Sequence, residues 1–363
     1  MAKNKAYLFF YLLVITFGAT AQTGSIIHRI ILIGDAGEQK NGVHPEIEML
    51  KKNFKLDEHT TVVYLGDNIY PRGLPAQEAP NYAGKKQILD SQINIARNTD
   101  AKVYFIAGNH DWTQGRKDGC QQIMHQYNYI TSLQDANVKY IPANAYPGPE
   151  EINISNKITL VAMDSQWWLH KFDKPVRGTE KEILARLDEI IKRNHDKLVI
   201  FVAHHPFITF GPHGGHFTFR QHLFPLTDVK PWLYIPLPVI GSIYPLSRKI
   251  FGNIQDTKNP KYRKYSSAAD SILAQHPHCI RAAGHEHNLQ FIEHNNNYYI
   301  GSGAGSKQSA LKKNPQLLFS SFKTGFAIIE IAGNGNVYVK FYSSKHKDPA
   351  EPLFTKVLEN YSN

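Results

Sequence analysis

The chain has 363 residues, enough for one large domain or two small ones, and its 42% hydrophobic content allows a sizeable core. A formal net charge of +10 favours anionic partners such as phosphate esters, nucleic acid or acidic membranes. Two cysteines exclude a disulfide-dense scaffold, and their spacing matches neither a zinc ribbon nor a CxxC redox motif.

Residues 1–21 read as a secretory signal peptide. Lys3 and Lys5 open it, Tyr7 to Phe17 is a short apolar run, and Ala19-Thr20-Ala21 is a small-x-small cleavage site. The expected location is secreted or periplasmic, with an uncleaved anchor as the other reading. Loss of the two lysines leaves a mature charge of +8. No later stretch has 18 uninterrupted apolar residues, so a soluble mature protein is expected. In that compartment Cys120 and Cys279 form either one disulfide or two unpaired buried thiols. Asn153-Ile154-Ser155 and Asn360-Tyr361-Ser362 are glycosylation sequons.

The first half repeats one theme. Apolar strands over 30–33, 61–65 and 103–107 each end in a glycine followed by a ligand-type residue, with helices expected near 43–53 and 85–98. Strands alternating with helices argue for an α/β layered fold, and continuous apolar runs suit strands covered on both faces. Open α/β sheets bind ligands at the C-terminal ends of their strands. A strand over 158–163 ends in Asp164-Ser165. The next helix starts on a capping box, Thr179 with Glu182, and carries an apolar face of Ile183, Leu184, Leu187, Ile190 and Ile191. A buried strand over 198–203 ends in His204-His205-Pro206.

Residues 207–264 break the rhythm. They are rich in Pro, Gly, aromatics and His, with eight Lys or Arg against Asp228 and Asp256. This reads as an insertion serving as a lid, as a peripheral membrane or surface contact, or as a cover for the core. Its His213, His216 and His222 read as solvated loop histidines, with rim residues near a substrate as the other reading. Beyond Ile280-Arg281-Ala282-Ala283 and Gly284-His285-Glu286-His287, short strands near 289–293, 297–301, 325–332 and 336–341 are expected to pair antiparallel on the far side of a sandwich. The division implied is a catalytic domain over 22–345, with the insertion inside it. A polar tail over 346–363 is expected to fray.

The residues at the strand ends are Asp35, Asp67, Tyr70, Asn109, His204, His285 and His287. Oxygen and imidazole donors without thiolate suit iron, zinc or manganese. Asp67 has two carboxylate oxygens and can bridge two cations. His285 and His287, at i and i+2, share a face if the segment is extended. Trp167 and Trp168 read as packing, and Asp111 as support for the ligands beside it.

Five ordered blocks stand as Gly34-Asp35-Ala36-Gly37, Gly66-Asp67-Asn68-Ile69-Tyr70, Gly108-Asn109-His110-Asp111, His204-His205-Pro206 and Gly284-His285-Glu286-His287. The set resembles the binuclear metallophosphoesterases of calcineurin-like fold, and more narrowly the purple acid phosphatases of the small tartrate-resistant type. The resemblance implies an α/β fold, a four-layer α/β/β/α sandwich of two mixed sheets flanked by helices. It implies iron(III) held by Asp35, Asp67, Tyr70 and His287. A second ion, iron(II), zinc(II) or manganese(II), would be held by Asp67, Asn109, His204 and His285. Many relatives place a ligand histidine where Gly37 stands; here Tyr70 would supply the missing donor. Two carboxylates and a phenolate, about −3, against about +5 from the metals leave a site attractive to phosphate. The activity implied is hydrolysis of small phosphate monoesters by attack of a metal-bound hydroxide, with His110 as general acid and His205 assisting. Phosphodiesterase, nucleotidase or pyrophosphatase activity on the same site is the alternative. A non-catalytic anion- or surface-binding protein is the weaker one. No nucleic-acid partner is expected, since the positive charge is scattered and no binding motif is present.

Overall fold

The computed structural model describes residues 24–228 and 232–361; the signal-peptide reading of residues 1–21 lies outside them. The strands in chain order are β1 (Ile26–Ile33), β2 (Thr60–Tyr64), β3 (Lys102–Phe105), β4 (Val138–Tyr140), β5 (Glu150–Ser155), β6 (Ile158–Ala162), β7 (Leu198–Val202), β8 (Cys279–Ala283), β9 (Leu289–His294), β10 (Asn297–Ser302), β11 (Leu317–Ser321), β12 (Phe326–Ala332), β13 (Val337–Tyr342) and β14 (Phe354–Leu358). They form two seven-stranded sheets, ordered β14-β13-β12-β1-β2-β3-β4 and β11-β9-β10-β8-β7-β6-β5. Both are mixed. β1 to β4 run parallel, as do β6, β7, β8 and β10, and antiparallel strands complete each sheet.

Alternation along each strand sorts its side chains into two layers. Ile30, Leu32, Val63 and Leu65 of one sheet meet Leu160, Ile200, Val202 and Ile280 of the other in the core between the sheets. Their neighbours Ile31, Ile33, Val62 and Tyr64 turn outward onto helices. Those helices are α1 (Pro45–Asn53), α2 (Tyr82–Ile93) and α3 (Gly119–Ser132). Beyond α4 (Ser165–Leu169), α5 (Glu180–Arg193), α6 (Phe219–Leu223) and α7 (Ile243–Ile250) comes α8 (Pro260–Leu273), which packs with α5 over the second sheet. The layers are therefore helix, sheet, sheet, helix. Each fully buried Ile or Val in this double core contributes about 1.5–3 kcal/mol.

The capping box forms as expected: Thr179 Oγ1 accepts from the Glu182 amide, and the Glu182 carboxylate accepts from the Thr179 amide. Four expectations need correction. Helix α2 stops at Ile93, because residues 94–98 turn and Asn98 takes a left-handed backbone at φ 62°. The late strands do not share one side: β9 and β10 join β8, whereas β12 and β13 cross back to β1, where Ile30 pairs with Ile329. The irregular segment after β7 ends at Asn259, whose side chain caps α8, so residues 260–264 belong to the crossover helix into β8. The tail does not fray throughout, since β14 pairs with β13 and buries Leu358. Cys120 and Cys279 are both free.

Candidate metal centre

The C-terminal ends of β1, β2, β3, β7 and β8 converge. There the backbone turns sharply at three non-glycine residues, with φ of 58° at Asp35, 54° at Asp67 and 67° at His285. L-residues occupy this left-handed region at a cost, and such outliers cluster at functional sites. Gly108 explains how β2 and β3 come so close: a Cβ there would sit 2.1 Å from the Asp67 amide nitrogen and 2.2 Å from its Oδ1. At Gly37 a Cβ would lie 2.7 Å from both the Asp67 carbonyl and the Tyr70 nitrogen. A side chain at position 37 would therefore displace the Tyr70 loop, which is held by the Tyr70 amide donating to the Gly37 carbonyl at 2.9 Å.

Asp111 fixes that loop from beneath. Its buried carboxylate accepts from the amides of Asn68, Ile69 and Gly108. On the next element, Asp164 accepts from Trp112 Nε1 at 2.8 Å and caps α4. Trp167 and Trp168 are buried in packing, with Trp168 stacked on Tyr265.

Carbonyl oxygens can only accept, so they assign the histidine tautomers. His204 Nδ1 donates to the Leu65 carbonyl at 2.8 Å, which leaves the Nε2 lone pair free. His285 Nε2 donates to the Gln255 carbonyl at 2.9 Å, which frees Nδ1. Both lone pairs face Asn109 Oδ1 at 3.0 Å, and His204 Nε2 lies 3.5 Å from Asp67 Oδ1. Four acceptors thus confront one another without a hydrogen between them, which is a cradle for a cation. Beside it, Tyr70 donates its hydroxyl to Asp35 Oδ1 at 2.9 Å. His287 Nε2 lies 3.2 Å from that hydroxyl and 3.4 Å from Asp35 Oδ1. One ligand atom each from Asp35, Asp67 and His287 falls within 4.8 Å of the others.

The charges point the same way. Burial pushes Asp35 up to about 7. Burial also raises Asp67, but positive charge on His204 and His110, where they are protonated, outweighs it and holds that carboxyl at about 2; a cation in the cradle would supply the same charge in place of the His204 proton. Burial, then Asp35 and Asp67, keep the Tyr70 phenol far above its ordinary range. Burial, then Lys307, lowers His287 to about 4, so its lone pair stays available. Two buried carboxylates and a phenol cannot all ionise here unless positive charge is supplied. The residues therefore fit two metal ions sharing Asp67.

Every expected ligand is in this group, and His110 adjoins it. The His110 amide donates to Asp67 Oδ1 at 2.8 Å and its Nε2 lies 3.9 Å from Asp67 Oδ2. His205 is placed differently from its expected catalytic position. It is buried, with Nδ1 on Ser165 Oγ at 2.7 Å and Nε2 on the Gln255 side chain at 2.5 Å, so both ring nitrogens are engaged. It holds Gln255, which in turn orients His285. Residues 284–288 form a bend rather than an extended segment, and His285 and His287 turn to different halves of the site.

Two contributors, Gln255 and Lys307, escaped sequence reasoning, and the choice of the rim reading for His213 needed the structure. His213 is partly buried at the rim, 22% exposed in its side chain: its ring lies 4.0 Å from that of His285, and its Nδ1 meets Asp256 Oδ1 at 2.9 Å. His216 is also half-buried, against Phe210, and His222 bonds Ser242 Oγ at 3.0 Å. Gln255 sits in the irregular segment, where no motif marks it. Lys307 lies over the Tyr70 ring, 3.4 Å from its centroid; its only signal was its place just after the Gly301-Ser302-Gly303-Ala304-Gly305 run.

Residues 28–240 match the calcineurin-like phosphoesterase family model. The chain belongs to the calcineurin-like phosphoesterase family. Within the curated proteins it is 22% identical to glideosome-associated protein 50 of Plasmodium falciparum over 360 residues, 98% of this chain and 82% of the relative. Among solved structures, Plasmodium GAP50, described as the anchor in the inner membrane complex, aligns with a TM-score of 0.60 at 18% identity, over 92% of this chain and 89% of that one. Purple acid phosphatase PPD1 from yellow lupin (Lupinus luteus) seeds aligns with a TM-score of 0.57 at 12% identity, over 93% of this chain and 54% of that one. These likenesses establish the phosphoesterase fold. The family fold implies a binuclear metal centre, and the donor set of this chain fits one.

Proposed function

We propose that the protein is a metal-dependent phosphatase acting on small phosphate monoesters outside the cytoplasm. The observation that carries this reading is the hydrogen-free meeting of His204 Nε2, His285 Nδ1, Asn109 Oδ1 and Asp67 Oδ1. Asp35, Asp67, Tyr70 and His287 would hold one ion. Tyr70 as a donor favours iron(III), which can deprotonate a phenol whose unperturbed pKa is about 10. Asp67, Asn109, His204 and His285 would hold the second, iron(II), zinc(II) or manganese(II). When bound, the pair supplies positive charge that draws in a phosphate and acidifies water.

The chain's own residues do the rest. His110 stands at the edge of the site, 19% exposed in its side chain, where it can reach a leaving alkoxide. Its ring packs edge-on against Tyr70, with centroids 4.6 Å apart. Protonated at Nε2, it gives that proton to the departing oxygen. His205, Gln255 and Asp111 position ligands and touch no substrate.

A panel of monoesters, diesters and nucleoside diphosphates tests this reading with metal-loaded protein. Monoester turnover well above the others supports it; preference for diesters or diphosphates moves the assignment to phosphodiesterase, nucleotidase or pyrophosphatase. A second reading is a surface-binding scaffold, favoured by the near full-length likeness to a protein described as an anchor in a membrane complex. The complete donor set argues against it, and absence of turnover on the whole panel would restore it.

A further inference from the structure

Helix α7 is inside out. At roughly 100° per residue, Ile243, Leu246 and Ile250 share one face. That face is turned to solvent, with the three side chains 64%, 45% and 64% exposed. The opposite face carries Pro245, which is buried, and Arg248, whose guanidinium turns inward to pair with buried Asp256. A helix resting on a protein core and facing water shows the reverse arrangement. The inversion extends to Val239 and Ile240 just before the helix, 84% and 66% exposed. Of the 20 large hydrophobic side chains exposed among the described residues, 11 fall between 219 and 251. Scattered exposure needs no cause, but this concentration does.

The patch is one body. The Leu237 amide donates to the Leu223 carbonyl at 2.8 Å, the Gly241 amide to Leu237 at 2.7 Å, and His222 meets Ser242 Oγ at 3.0 Å, which ties α6 and residues 237–242 to the start of α7. Its charge identifies what would cover it. Residues 207–264 carry eight Lys or Arg and two Asp, and Asp256 is buried under Arg248. Arg220 and Lys249 are exposed. Trp232 and Tyr244, 70% and 52% exposed, add aromatic rings with a polar tip, which favour the boundary between lipid and water. No helix among the described residues is long and apolar enough to cross a membrane.

We propose that α7 and the adjoining residues 232–242 dock on the headgroup boundary of an anionic phospholipid bilayer, with Ile243, Leu246 and Ile250 entering the apolar zone and Lys249 and Arg220 meeting lipid phosphates. An apolar face edged by cations suits that surface, and its strength follows buried apolar area plus attraction to anionic lipid. The docking helix is also wired to the metal centre: Arg248 pairs with Asp256, Asp256 holds His213, and His213 lies against His285. Docking of this face requires no phosphatase activity.

Co-sedimentation of the full chain with vesicles tests it, comparing phosphatidylcholine alone with phosphatidylcholine containing phosphatidylglycerol. Binding is expected to the anionic vesicles and to fall as salt rises from about 0.1 to about 0.5 M. The double variant Ile243→Asp/Ile250→Asp should lose about 10-fold or more of its partitioning, with its circular dichroism and its turnover of soluble substrates unchanged. Lys249→Glu, a single exposed change, should weaken binding several-fold and serves if the double variant misfolds. Absence of wild-type binding to anionic vesicles, or equal binding by wild type and both variants, overturns the proposal. So does sedimentation equilibrium showing a wild-type dimer that the double variant dissolves, since a second copy would then cover the face.

Discussion

His110 gives its Nδ1 hydrogen to the carbonyl oxygen of Pro71 at 2.7 Å. The carbonyl cannot donate, so the bond fixes both tautomer and ring direction and leaves Nε2 for the substrate side. Pro71 directly follows Tyr70, so one loop carries a metal ligand and aims the proposed acid. His110→Ala should lower kcat about 10²–10⁴-fold on monoesters with poor leaving groups, while the bound metal per chain stays at the wild-type value. Steady-state kinetics beside elemental analysis checks both halves. A fall in metal content equal to the fall in rate would instead make His110 a ligand.

Tyr70 faces both Asp35 and His287. As a phenolate on iron(III) it should give the purified protein a purple absorption band. Tyr70→Phe should abolish that band while the protein stays folded. A colourless wild type with full activity would remove iron(III) and keep the rest of the site.

Glu330 tests the fold away from the chemistry. On β12 it meets Arg29 of β1 at 2.8 Å and Lys340 of β13 at 2.7 Å. Burial raises its carboxyl, but the bonds from Lys340 and Arg29 outweigh burial and hold it below the usual range. Its folded pKa is thus below its unfolded one. The stability it contributes is complete above the unfolded value, near pH 4.3, and is lost as pH falls below that. Glu330→Gln should cost about 1–3 kcal/mol at neutral pH and flatten the loss of stability in acid. Urea denaturation at a series of pH values measures both.

Most of this site was legible because Asp35, Asp67, Asn109 and His285 each follow a glycine at a strand end, His204 directly follows an apolar strand, and Tyr70 and His287 lie two or three residues further on. The parallel order of β1, β2 and β3 follows from the helices between them. What was hidden depends on long-range packing. Nothing local marks Gln255 or chooses between rim and solvent for His213; both reach His285 only because the irregular segment folds back over the second sheet. The family resemblance gave His205 an assisting role, and only the positions of Ser165 and Gln255 show its nitrogens to be engaged. β9, β10, β12 and β13 were found, but their division between the sheets rests on pairing partners far apart in sequence, such as Ile30 with Ile329.

The proposed chemistry rests on Asp67 being shared by two cations, and elemental analysis of metal stoichiometry measures that sharing. Wild-type protein should hold about two ions per chain, and Asp67→Ala should lose both together, with monoester turnover falling to background. Retention of two ions by Asp67→Ala, or wild-type protein that takes up none from a metal-supplemented solution, would contradict the account.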